Sequence, residues 1–556
     1  MTFEEQCHRA ASRFLQTAVL VDDRAEFQAQ PVVNPNDEID EFKAPDELAA
    51  ANDDIATVVG PSTERLDAGA VTQGFAAEGL ICSVLKPAGA GTIVEDVLKL
   101  SPRSDMIVLD WQMGDDGDIA MSIIYKVLKQ DKRTGGRLRL FAIYTGVHDL
   151  ATVAARIGAD LSDLKVATNS FEFADSSNTA KVVILGKGVA RDHAAGQASR
   201  CVEEAGLASR LVTEFATFSG GILRNATLAS MGHLRSNTHR LLARLNSNLD
   251  TPLITHFALV NSVEDSQQYL ADLILQEIEA QVPLEQIVAE FAGPVGITLR
   301  IAKSYRDGRS STLTLDKDGA TQQILTEKQA ADLVTNPKPT LQALLPTIAS
   351  TLGKKQKEIS AQFVPETLVK RLYGVLGDTY AEGERKHEEF AVASGIRLAN
   401  GKSHDFESRG LPTVRLGTII HAGGEYFMCL TPVCDSVRLP NETSNFLFGL
   451  LVRDEAKFNV IVDDAGERIR LLIDRKNVSI RTFRLVTAAD RTIRVERRYI
   501  DYVVPVAGQS DDYFRWVAEM KPMQAQRVVA AITSNLSRIG LDEFEWLRQL
   551  AENWSG

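Results

Sequence analysis

Three carboxylates, a hydroxyl and an ammonium group stand within the first 187 residues, each behind a short apolar run. Asp22 and Asp23 follow 18–21, Asp110 follows 106–109, Thr145 follows 141–144, and Lys187 follows 181–185 with Gly186 between. Clustered carboxylates offer the oxygen ligands that a hard divalent cation such as Mg2+ prefers. Lys187 would neutralise one oxygen of an incoming phosphoryl group as a point charge, and Thr145 would hydrogen-bond another. Asp110 would then be the nucleophile, taking the phosphoryl group as an aspartyl phosphate. Singly, an Asp behind an apolar run is as well explained by a helix cap or a turn. The order of four such positions along one chain is what points to chemistry.

The apolar runs must be the elements that hold these groups. Runs of four or five aliphatic residues read as strands of a parallel sheet buried on both faces, and ligands of such sheets gather outside the carboxyl ends of the strands. The five side chains are therefore expected to converge at one end of an α/β sheet. Phe3, Cys7, Ala10, Ala11 and Phe14 have helical spacing, further helices are expected at 68–77 and 150–161, and 79–85 reads as another strand. A small strand is expected within 166–173, and a closing helix near 191–205. From about 27 to 67 the chain is acidic and carries Pro31, Pro35, Pro45 and Pro61, which reads as an insertion beside the site.

The strings V-L-V-D-D (19–23), V-L-D-W-Q-M (108–113), Y-T-G (144–146) and G-K-G (186–188) resemble those of the response-regulator receiver domains of two-component signalling. The resemblance implies a flavodoxin-like, doubly wound parallel sheet and a cytoplasmic phosphorelay with a histidine kinase as phosphoryl donor. It also implies Mg2+ held by Asp22, Asp23, Asp110 and the backbone carbonyl of Gln112, with acceptance on Asp110 assisted by Thr145 and Lys187. In two features the chain departs from that family. The acidic pair and Asp110 lie unusually far apart, and the lysine is followed by Gly188 where the family usually has Pro. The whole is similar to long bacterial receiver proteins such as those of Detocs-type phage-defence systems, which implies a regulator or a phosphate sink, with an effector protein as a further partner.

A chain of 556 residues, 44% hydrophobic and 24% charged, has the composition of three or four globular domains. The expected division is a receiver at 1–205, a helical hairpin region at 206–283, a mixed α/β region at 284–405, and a β-rich α+β domain with terminal helices at 406–556. No apolar run is long enough to span a bilayer and the amino terminus lacks a signal-peptide pattern, so no membrane partner is expected. Five cysteines suit reduced thiols in a reducing compartment. The net charge of −13 argues against whole-surface attraction to nucleic acid.

Beyond 206, Leu211, Phe215, Phe218, Ile222, Leu234, Leu241, Leu242 and Leu245 step at helical spacing, and a second helix is expected at 263–280. Such helices would pair two protomers as a homodimer or fold on the receiver. The string S-M-G-H-L-R (230–235) resembles the histidine box of sensor kinases, with His233 or His239 as acceptor. Leu234 stands where that family has an acid, so a packing histidine is the plainer reading. Strands are expected at 297–301 and 311–315 around a hairpin turn R-D-G-R-S-S, then helices over 342–376 interrupted at Pro346 and Pro365. Strands dominate 412–506, at 414–420, 426–430, 446–452, 458–462, 468–473, 483–486 and 493–506, as a half-buried antiparallel sheet or barrel. Cys429 and Cys434 lack a second ligand pair for zinc; a nucleophilic cysteine near His421 is the sharper alternative. Arg468, Arg470, Arg475, Lys476, Arg481, Arg484, Arg491, Arg494, Arg497 and Arg498 leave open a second function, a receiver-regulated surface for nucleic acid or protein. The tail, 512–554, is expected to be two helices carrying Phe514, Trp516, Phe544 and Trp546.

Overall fold

A computed structural model of the protein describes residues 1–27 and 65–536, apart from breaks at 88, 114–115, 162–163, 167–168, 176–178, 190–191, 261–262, 317–318, 361–364, 401–409, 440–441, 500 and 509–512. Most of the acidic insertion, together with Phe544 and Trp546, lies outside these residues. The described chain forms two compact units, Met1–Leu249 with Asp272–Gly308, and Asp250–Ala271 with Arg309 onward.

In the first unit the strands, in chain order, are β1 (Thr17–Val21), the two-residue partners β2 (Ala25–Glu26) and β3 (Leu66–Asp67), β4 (Ile81–Leu85), β5 (Met106–Leu109), β6 (Arg139–Thr145), β7 (Leu164–Val166), β8 (Glu172–Asp175), β9 (Ala180–Lys187) and β10 (Cys201–Val202). β4, β1, β5, β6 and β9 lie side by side in that order, all parallel. This is the doubly wound architecture, and the order in which strands are added reverses between β1 and β5, where ligands of such sheets bind at the carboxyl ends. Alternation explains why the runs are continuously apolar. Ala18, Leu20, Met106 and Val108 enter one core, and Val19, Val21, Ile107 and Leu109 enter the other. Each fully buried Val, Leu or Ile contributes roughly 1.5–3 kcal/mol.

The second of these cores is closed by the helices Ala90–Leu100, Asp118–Arg133 and Leu150–Asp160. The first is closed by Phe3–Phe14, Ala68–Ala77, Leu207–Ser219, Ile222–Arg244 and Leu284–Ala292. Between β6 and β9 the chain adds β7 and β8, an antiparallel pair beyond β9. There a buried ionic cluster forms. The Lys181 ammonium lies 2.8 Å from Glu172 and 3.1 Å from Glu214 of the Leu207–Ser219 helix, with Arg200 2.6 Å from Glu172 and Arg210 2.9 Å from Glu214.

The expected helix at 191–205 does not form. The chain there makes short 3-10 turns at Ala198–Arg200 and Glu204–Gly206 around β10, and the helix begins at Leu207. Residues 297–301 are not a strand but part of the helix Pro294–Arg306, opened by Pro294 in its first turn, where proline is tolerated. A short apolar run does not distinguish the two states. R-D-G-R-S-S is accordingly the end of that helix rather than a hairpin turn, with Gly308 at φ 78°.

In the second unit β11 (Thr312–Thr314) and β12 (Gln322–Ile324) form a small hairpin. Pro346 does not interrupt its helix, which runs Pro337–Leu352, whereas Pro365 opens Pro365–Arg371. The remaining strands are β13 (Ile396–Ala399), β14 (Thr418–Ala422), β15 (Glu425–Cys429), β16 (Thr443–Arg453), β17 (Val460–Asp464), β18 (Glu467–Leu472), β19 (Ile480–Val486), β20 (Glu496–Arg498), β21 (Asp501–Pro505) and β22 (Tyr513–Met520). They form one curled antiparallel sheet with an apolar core on each face. Phe514 and Trp516 belong to β22, not to a tail helix, because their alternation with buried Val517 suits a strand packed on both sides; Trp516 is fully buried. The helix that follows is Pro522–Leu536, packed by Ala525, Val528 and Ile532.

Candidate phosphoryl-acceptor site

The carboxyl ends of β1, β5, β6 and β9 bring Asp22, Asp110, Thr145 and Lys187 to one end of the parallel sheet. Backbone bonds fix the floor: the Asp22 amide donates to the Leu85 carbonyl at 3.1 Å, and the Asp110 amide donates to the Val21 carbonyl at 2.9 Å. Lys187 crosses from the far strand. Its ammonium donates to Asp22 Oδ2 at 2.5 Å and lies 3.3 Å from Asp110 Oδ1 without the alignment of a hydrogen bond. Asp22, Asp110 and Lys187 are all buried. Asp22 Oδ1 is occupied by the Arg24 amide at 2.7 Å.

Carboxylate oxygens of Asp22, Asp23 and Asp110 lie within 4.8 Å of one another. Asp23 Oδ1 and Asp110 Oδ1 are buried without a hydrogen-bond partner. Leaving such atoms unsatisfied costs on the order of 1–3 kcal/mol each, more for charged groups. Three carboxylates held this close, with Asp23 Oδ1 buried and without a hydrogen-bond partner, offer the oxygen set a hard cation requires, so the residues present fit Mg2+. Burial pushes the Asp110 carboxyl up to about 6; Lys187 opposes the shift and the charge of Asp22 adds to it.

Thr145 is buried at the end of β6, in register with Gly186, and its hydroxyl oxygen accepts from the Val147 amide at 3.3 Å. Its own proton is left to donate. Gln112 follows Asp110 by two residues, and its backbone amide lowers the Asp110 carboxyl. Trp111 and Met113 pack into the core beneath.

Residues 14–192 match the family model described as the Response receiver domain. This segment is a receiver domain. No curated protein and no solved structure matches the chain. The receiver assignment carries a phosphoryl-accepting response-regulator role, with a histidine kinase as donor and effectors downstream in general. Receiver domains typically bind Mg2+ through an acidic cluster of the kind that Asp22, Asp23 and Asp110 form here. Among the described residues no helix is long and apolar enough to cross a membrane.

Other candidate residues fall elsewhere. His233 lies on the Ile222–Arg244 helix in a groove with Arg13, Gln16 and Gly79, which precede β1 and β4, so it sits at the amino ends of the strands and away from Asp110. Cys429 is buried in one core of the curled sheet, its thiol pushed up to about 12 by burial. His421 pairs across with Tyr426, which belongs to the opposite core, so the two do not form a nucleophile and base. Several arginines of the basic stretch are neutralised internally: Arg468 by Asp463 at 3.3 Å, Arg470 by Glu388 at 2.5 Å and Glu384 at 3.0 Å, Arg481 by Glu425 at 3.0 Å, and Arg494 by Asp490 at 2.6 Å. One residue beside the receiver site escaped sequence reasoning. His193 is buried against both Lys187 and the loop after Thr145, and a single histidine in a turn carries no pattern to announce it.

Proposed function

We propose that this protein is a response regulator that accepts a phosphoryl group on Asp110 in a bacterial two-component phosphorelay. The observation that carries the reading is the reach of Lys187 to both Asp22 and Asp110, beside an acidic cluster that Asp23 completes. An ionised Asp110 oxygen attacks the phosphorus of a phosphohistidine. The phosphorus–nitrogen bond breaks, the donor imidazole leaves with the electron pair and takes a proton, and an acyl phosphate forms on Asp110. Lys187 holds one phosphoryl oxygen by charge, and the Thr145 hydroxyl donates to another. Asp22, Asp23, Asp110 and the Gln112 carbonyl would hold Mg2+, which when bound neutralises the charge of the entering anion. Without it the carboxylates repel that anion.

The output is a regulator acting on an effector protein, or a sink that drains phosphate from a partner kinase. A setting in phage defence rests on the sequence resemblance alone. The alternative, a receiver-regulated surface for nucleic acid or protein, would use the basic stretch, in which Arg468, Arg470, Arg481 and Arg494 are paired with acids.

Intact-protein mass after incubation with acetyl phosphate and Mg2+ tests the reading. One phosphoryl adduct is expected on the wild type and none on Asp110→Asn. An adduct that survives in Asp110→Asn, or a wild type that accepts from no donor or kinase, overturns it.

A further inference from the structure

The loop after β9 is built around one imidazole. His193 Nε2 lies 2.8 Å from the carbonyl of Lys187, and Nδ1 lies 3.0 Å from the carbonyl of Val147, two residues past Thr145. The ring is buried and rests on Gly186, where an added Cβ would come within 2.6 Å of Nε2. Gly188, at φ 79°, takes the left-handed conformation that glycine adopts without strain just past the strand. The G-K-G string thus has a local physical cause: one glycine makes room for the imidazole and the other takes a left-handed φ.

The same two loops are stitched further along. The Ala194 amide donates to the His148 carbonyl at 2.8 Å, and the Leu150 amide donates to Gln197 Oε1 at 3.0 Å. Of these bonds only the one from His193 Nε2 reaches the Lys187 main chain itself.

We propose that His193 is a positioning residue, fixing the Lys187 carbonyl to the loop that follows Thr145 and so holding the ammonium over Asp22 and Asp110. Thr145 and Lys187 stand at the ends of paired strands, and the ring ties the backbone where the two chains leave that ladder. The inference rests on the reading of Lys187 as the phosphoryl-binding cation. Its structural half, the placement of the ammonium, stands apart from any transfer.

The test uses the full-length protein and two variants. His193→Phe keeps a ring over Gly186 and removes both nitrogens; His193→Gln keeps a donor. Labelling of lysine amines by an N-hydroxysuccinimide ester, read by peptide mass, reports on Lys187 with Lys181 as control, since Lys181 is buried near the other end of the same strand. In His193→Phe the reactivity of Lys187 is expected to rise by about tenfold or more while Lys181 stays protected, with His193→Gln between wild type and His193→Phe. Phosphorylation by acetyl phosphate and Mg2+ should fall by about tenfold to a hundredfold in His193→Phe. In a Lys187→Ala background the same substitution should cost nothing further, because its effect runs through the lysine.

The proposal is overturned if Lys187 stays as unreactive as in the wild type, if Lys181 is exposed in parallel, or if the loss of phosphorylation is equal in both backgrounds. Should His193→Phe not fold, His193→Gln is read against the same outcomes. A wild type that accepts no phosphoryl group sinks the functional reading, and the labelling arm still decides the role of His193.

Discussion

Asp110 is held against its own charge. Burial and the neighbouring Asp22 disfavour its ionised form, and Lys187 only partly compensates. Because its carboxyl is pushed up to about 6, the folded chain binds that proton more tightly than the unfolded chain does. The associated stability is complete below the ordinary carboxylate range and is lost as pH rises through about 6. Asp110→Asn removes the ionisation together with the nucleophile. Metal-free urea titrations should therefore show the variant more stable than wild type by on the order of 2 kcal/mol at neutral pH, the gap opening between about pH 4 and pH 6. A gap that is constant across that range would mean that Asp110 is not strained by its charge. Asp23→Ala should behave differently. It removes an unpartnered oxygen without removing the acceptor, so phosphorylation should persist but need several-fold more Mg2+, read as the concentration for half-maximal adduct; an unchanged requirement would remove Asp23 from the metal set.

At the scale of elements, β8, β9 and the Leu207–Ser219 helix are tied by a buried ionic cluster in addition to the β8–β9 ladder and the apolar core under the helix. Burial would raise the Glu172 carboxyl, yet its hydrogen bonds to Lys181 and Arg200 bring it down to about 2. That stability is present above the ordinary carboxylate range and is lost as pH falls toward about 2. Glu172→Gln leaves Lys181 short of a charge partner and should cost about 3 kcal/mol at neutral pH, with the difference vanishing in acid; equal urea midpoints at neutral pH would show the cluster to be ornamental. None of this cluster was legible beforehand, because its members come from separate elements and alternation along a strand does not say what lies across from it. The strand ends carrying Asp22, Asp110, Thr145 and Lys187 were legible, since each apolar run is bounded by a polar residue. Sequence reasoning misplaced Phe514 and Trp516 for a related reason. Aromatics near a chain end suit a packing helix or a strand equally, and only the neighbours of β22 decide. Residues 297–301 show the same ambiguity resolved the other way.

For the molecule as a whole, the negative total and the internal pairing of arginines act together. Arg470 is shared among Glu384, Glu388 and Glu455, and Arg481 is held by Glu425, so the basic stretch presents less free charge than its composition suggests. Binding of the full chain to labelled RNA or DNA at low salt, followed by fluorescence polarisation, should show no affinity tighter than about 10⁻⁴ M; a salt-dependent constant with a steep log–log slope would reinstate the surface. The receiver segment itself has a property that follows from its core. Residues 14–192 match the family, yet one face of their sheet is sealed by Leu211, Phe215, Ile287 and Phe291. A ribosome delivers the chain amino end first at about 5–20 residues per second, so that face waits on the order of 5–20 seconds, while ~100 more residues are made, for its last cover. During that interval the nascent chain carries an open apolar surface that other nascent chains can find. A gene cut at codon 192 would make the interval permanent, and its product should sediment with the insoluble fraction where one reaching residue 308 stays in the supernatant.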